Sequence, residues 1–131
     1  MANLQALRAG LSIYAEQHGG AYPPPEKWCD SLVGRYVREE YLRCRRGEGG
    51  PCDYAMNPLA GPRGATDVVL LFECSSGWNR SGGTETLTTK HHEGQGCTIL
   101  FVGGDVKFVK TEEIPALRWD GRGGGANEEG K

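Results

Sequence analysis

Five cysteines, two adjacent histidines and one glutamate inside an apolar run are the residues of this sequence whose types could do chemistry. The cysteines are Cys29, Cys44, Cys52, Cys74 and Cys97, and none stands in a Cys-x-x-Cys pair, the spacing of zinc ribbons and thioredoxin-like redox sites. Two other uses stay open to them. As disulfides they point to an extracytoplasmic domain. Cys44 and Cys52 flank the polar loop 45–51, and closing so short a loop would stabilise the fold by roughly 2–3 kcal/mol. Cys74 ends one apolar run and Cys97 begins another, where an antiparallel hairpin would set them opposite each other. Cys29 is then the odd one. As buried thiols, all five would pack as small hydrophobes.

His91-His92 with Glu73, and Cys74 and Cys97 nearby, could instead hold a metal, because zinc is well served by His and Cys and takes about four ligands. Adjacent side chains on an extended chain point to opposite sides, so at most one of the two histidines would ligate easily. The plainer reading of His92 is a hydrogen-bonded loop anchor. Glu112, Glu113 and Asp120 are oxygen donors of the kind calcium takes, and equally readable as solvated charge. For an enzyme, Ser75-Ser76 with a histidine is the candidate nucleophile–base pair, and no G-x-S-x-G surrounds it. Gly103-Gly104 and the glycines at 123–125 do not open helices, so they are not phosphate loops. The chain therefore reads as non-catalytic. Trp78, in a long polar loop, and Arg45 and Arg46, in the basic cluster, are candidates for contact with a partner. Fifteen Lys and Arg against seventeen Asp and Glu give a net charge of −2, which argues against nucleic acid.

The elements that must position these groups follow from periodicity. Leu4, Leu7, Leu11 and Tyr14 recur at helical spacing, and Gly19-Gly20 ends the helix. Its apolar repeat begins almost at residue 1, as expected of the back half of a longer helix. Residues 26–37 fit a short second helix presenting Trp28, Leu32, Val33 and Tyr36. Strands are expected at 53–57, 67–74, 97–102 and 105–110, the last two joined by a tight Gly103-Gly104 turn. The sequence holds 21 glycines and 7 prolines in 131 residues, roughly a fifth against ~12% in average proteins, which excludes a long bundle. The expected fold is α+β: one N-terminal helix on a small antiparallel sheet whose other face meets water, with a short second helix and long loops. It forms one domain over 1–119, with a disordered tail at 120–131.

Asn3-Leu4-Gln5-Ala6-Leu7-Arg8-Ala9-Gly10-Leu11 through Tyr14-Ala15, then Gly20-Ala21-Tyr22-Pro23, resembles the stretch that follows the membrane segment in prepilin-type proteins. Glu73, Trp78-Asn79, His92, and Ile99 through Val109 with Gly104 and Asp105 at the turn resemble the domain that follows it in pseudopilin-like proteins of the planctomycete type. That domain carries a His, about nine residues, and then Asp-Gly. Here Gly103-Gly104 replaces the Asp-Gly, Asp105 replaces the following His, and the interval is one residue longer. The resemblance implies the soluble part of a pilin-like subunit of type II secretion or type IV pilus-like assembly, matured by prepilin cleavage and methylation. It also implies anchoring in the inner membrane through an upstream helix segment, a periplasmic or surface location, and other pilin-like subunits and secretion-machinery proteins as partners. No cofactor is expected beyond a calcium ion, from the resemblance, or a zinc ion, from the histidine and cysteine residues. The alternative from another class is a secreted metal- or ligand-binding module built on the His91/His92 and Cys74/Cys97 region.

Overall fold

The computed structural model describes residues 2–47 and 49–120. Helix α1 (Ala2–Gln17) buries Leu4, Leu7 and Leu11. It ends where Gly19 and Gly20 take positive φ and the Gly20 N–H donates back to Ala15, a left-handed stop that glycine adopts without steric cost. Four strands follow: β1 (Tyr54–Met56), β2 (Val69–Glu73), β3 (Gly96–Phe101) and β4 (Val106–Lys110). All neighbours pair antiparallel, in the order β1-β2-β3-β4. The fold is thus α+β, and on one face of the sheet Leu71, Leu100, Tyr54 and Met56 share a buried core with Leu4, Leu7 and Leu11 of α1.

The second helix is shorter than the periodicity of 26–37 implies. A 3₁₀ turn at Pro25–Lys27 leads into α2 (Trp28–Leu32), and the chain then turns through Gly34 at φ 87°, so Val33 and Tyr36 lie outside the helix. Local helical spacing lost here to one residue with left-handed freedom.

The sheet's other face does not meet water. Ala55, Val69, Phe72, Cys74, Cys97, Ile99 and Val109 form a second core, closed by Ile114 and by the partly buried Leu87, Leu117 and Trp119. The cover is the C-terminal segment: a 3₁₀ turn at Thr111–Ala116, then Arg118, whose carbonyl accepts the Val69 N–H at 2.9 Å, and Trp119, edge-on to Phe72 at 5.1 Å. Asn57 fastens it, its side-chain amide donating to Val69 O at 2.9 Å and to Trp119 O at 2.8 Å. Burial on both faces explains why β2 reads as a continuous apolar run. The edge strand β4 stays largely exposed and carries Lys107 and Lys110, charges that discourage further strand pairing.

The connection 75–96 is no free excursion. Arg80 and Gly82 bond to both backbone groups of Met56 along the outer edge of β1, and Thr88 N–H then returns to Glu73 O at 3.0 Å. Asp120 is exposed, and the expected tail beyond it lies outside the described residues. Among the described residues no helix is long and apolar enough to cross a membrane.

Candidate functional site

Glu73, the last residue of β2, is only 1% exposed, yet it is a carboxylate in a strand that is otherwise apolar. Strand alternation decides where it points. Phe72 and Cys74 enter the second core, and Glu73 turns to the α1 side of the sheet beyond the tip of the helix. A buried carboxylate requires partners, and Glu73 has three. Thr98 N–H of β3 donates to Oε1 at 2.6 Å, His92 Nε2 lies 3.1 Å from both oxygens, and the Cys44 thiol is 3.4 Å from Oε2. The alternation that aims Glu73 here sends Cys74 and Cys97 to the opposite face, so these two sulfurs do not join the histidine pair in a common site. They share the buried second core instead.

Cys44 arrives from a distant loop. The Asp53 carboxylate accepts Cys44 N–H at 2.7 Å, and Asp53 N–H is tied to Leu42 O at 2.8 Å. The loop therefore wraps the Asp53 side chain, and a Cβ on Gly47 would come 2.3 Å from that carboxylate. This corrects the Cys44–Cys52 pairing. All five cysteines are thiols in the structure, and Cys52 Sγ faces Cys29 Sγ at 3.9 Å in the α1-side core while Cys44 turns to Glu73. Nearness in sequence favours the wrong partner, because Asp53 pulls the two ends of the loop in different directions.

The histidines are also arranged differently from an extended pair. Lys90–His92 is a 3₁₀ turn, and both rings come to the same carboxylate. His92 is half-buried and braced edge-on against Phe108 at 5.1 Å. His91 is 4% exposed, with Nδ1 at 3.9 Å from Glu73 Oε2 and neither ring nitrogen hydrogen-bonded among the described residues. One donor atom each from Cys44, Glu73 and His91 lies within 4.8 Å of the others.

The site opens to solvent through a cleft of about 640 Å³ lined by Asn3, Arg43, Arg45, Arg46, Tyr54 and His92, among others. Arg45 and Arg46 are exposed at its rim. Burial pushes the Cys44 thiol up, and the nearby Glu73 carboxylate adds to the shift against an opposing backbone hydrogen bond from Arg46. The same two causes raise Cys97 to about 12. Burial also raises the Tyr54 phenol, whose oxygen accepts from the Asn3 amide.

The remaining sequence candidates lie elsewhere. Trp78 is half-buried, its indole N–H donating to Asp30 at 2.8 Å, so it fastens the 75–96 loop to α2. Asn79, at φ 56°, accepts from Cys29 N–H and Asp30 N–H. Gly104, at φ 102°, and the exposed Asp105 form the β3–β4 turn, with Phe101 N–H donating to Asp105 O. Glu112 and Glu113 are exposed, and Glu113 accepts Lys110 N–H at 3.1 Å. The histidine pair and Glu73 are visible in the sequence as candidate donors; Cys44 as their partner is not, since 29 residues and no periodic signal separate it from Glu73. Comparison with known protein families, with curated proteins and with solved structures finds no match for this chain.

Proposed function

We propose that this chain is the globular part of a pilin- or pseudopilin-type subunit, acting through contacts with other subunits and with cargo and not by catalysis. The observation that carries the reading is topological. One helix lies on a four-stranded antiparallel meander in chain order, and Glu73 and His92, motif residues of the resemblance, are bonded to each other at its end. Two further observations support it. Catalytic cysteines need a lowered pKa, and the thiol in the cleft is pushed the other way. On α1, Gln5, Ala9, Ser12, Ile13 and Glu16 remain exposed, with Ile13 at 45%, which leaves a face for neighbouring subunits.

In this reading an upstream helical segment anchors the subunit in the inner membrane, and the domain projects into the periplasm or onto the cell surface. Its partners are pilin-like subunits and secretion-machinery proteins of a type II secretion or type IV pilus-like assembly. The test is the reading frame upstream of Met1 together with fractionation of the native product. A basic leader, a Gly-Phe-Thr-Leu-x-Glu cleavage motif and an apolar run, with the product in the membrane fraction, are expected. A continuing water-soluble domain in that frame would overturn the reading.

A further inference from the structure

The buried histidine at the sheet end has no hydrogen bond to explain it. A buried polar nitrogen without a partner costs about 1–3 kcal/mol, and neither the donor nor the acceptor nitrogen of the His91 ring has one among the described residues. Three different donor types surround the same point: the Cys44 sulfur, Glu73 Oε2 and a His91 nitrogen. Sulfur, imidazole and carboxylate together are the set chosen by zinc and its borderline-soft neighbours, whereas calcium and magnesium take oxygen.

We propose that Cys44, Glu73 and His91 form a binding site for a zinc-class divalent cation, with the fourth position open to the arginine-lined cleft. An ion bound at about 2.0–2.3 Å from each donor in tetrahedral array sets the donors about 3.3–3.7 Å apart. Cys44 Sγ to Glu73 Oε2 is already 3.4 Å, and His91 Nδ1 to the same oxygen is 3.9 Å. The Cys44 sulfur and the His91 nitrogen lie within 4.8 Å of each other, so binding draws that pair together by up to about 1 Å.

The surrounding shell suits such a site. Metal-binding carboxylates are commonly held by further hydrogen bonds that fix their orientation. Thr98 N–H holds Glu73 Oε1, and His92, braced by Phe108, holds the carboxylate from the cleft side. Phe72–Ile99 pairing across β2 and β3 keeps Glu73 and Thr98 side by side. On binding, the Cys44 S–H bond breaks, sulfur joins the metal as thiolate, and one proton passes to solvent. The thiol–carboxylate hydrogen bond is what the ion replaces. This inference is independent of the pilin reading, since a filament subunit and a secreted module could equally carry the site.

The test uses the full chain, reduced and stripped with chelator, with Zn²⁺ and Co²⁺ alone as probes. One Zn²⁺ per chain is expected, and the Co²⁺ form should show a thiolate-to-cobalt charge-transfer band. Loss of an outer-shell partner typically weakens a metal site 10–100-fold, so Cys44→Ser, which removes a ligand, should lose at least about 100-fold in Zn²⁺ affinity and the band with it. Cys52→Ala, altering a sulfur outside the site, should keep both. A readout without variants guards against misfolding: saturating Zn²⁺ should protect Cys44 from iodoacetamide, measured by peptide mass spectrometry. Unchanged Cys44 alkylation with Zn²⁺, a cobalt form without a thiolate band, or full binding by a folded Cys44→Ser would each overturn the assignment.

Discussion

Asn79 caps a helix to which it does not belong, and replacing it gives a graded test of how the 75–96 loop holds the fold. Lys27, which precedes α2, provides no side-chain cap. Asn79 Oδ1 does so from 50 residues away, accepting Cys29 N–H at 2.7 Å and Asp30 N–H at 3.2 Å. These are the two donors an ordinary N-cap would satisfy. Asn79 also sits at φ 56°, a left-handed conformation that costs most residues about 1–2 kcal/mol and asparagine less. Asn79→Ala loses the cap, about 1–2 kcal/mol, and adds about 1 kcal/mol of backbone strain, so about 2–3 kcal/mol in all. Asn79→Gly loses the cap but relieves the strain, and should be more stable than the alanine variant by about 1 kcal/mol. Urea unfolding followed by tryptophan fluorescence reads both, because the Trp28 indole donates to Arg80 O at 2.8 Å, next to the substitution. With a slope of about 1–3 kcal/mol per molar urea, the alanine midpoint should fall by about 0.7–3 M. An alanine variant within about 0.5 kcal/mol of the parent, or a glycine variant less stable than alanine, would refute the capping argument.

Two other substitutions test packing and charge. Alanine is favoured over glycine in a helix by about 1 kcal/mol, yet a Cβ on Gly10 would meet Val37 Cγ1 at 2.3 Å and Tyr36 O at 3.2 Å. Overpacking costs about 1–3 kcal/mol, so Gly10→Ala should destabilise by about 1 kcal/mol net, and a rise in urea midpoint would contradict the close approach of α1 to the 33–37 turn. Hydrogen bonds from Trp78 and then Asn79 hold the Asp30 carboxyl below its ordinary value of 3.8. A lowered native pKa stabilises above the unfolded value and is lost as pH falls through the native one. The stability difference between the parent and Asp30→Asn should therefore be full at neutral pH and fade under acid; a difference that grows on acidification would reverse the sign of this reasoning.

Where local pattern decides structure, the sequence is a good guide. The stripe Leu4, Leu7, Leu11 marks α1, and the apolar runs ending at Glu73 and beginning at Cys97 mark the two central strands. What pattern cannot supply is the partner across a long connection. Leu117 and Trp119 belong to no periodic stretch, yet they cover the second sheet face because Asn57 and Val69 bind the backbone that carries them. The site divides along the same line. Glu73 and the histidines stand out as polar groups beside apolar runs, while Cys44 is drawn in by Asp53, a contact made through tertiary geometry alone.

The C-terminal cover also sets a schedule. A ribosome releases this chain from its N-terminus, so α1 and all four strands are made before Ile114, Leu117 and Trp119 exist outside it. Until then Phe72, Ile99 and Val109 have only Leu87 over them, and a nascent sheet with most of one oily face bare invites association with other unfinished chains. The last few residues translated into the described fold are the ones that end that interval.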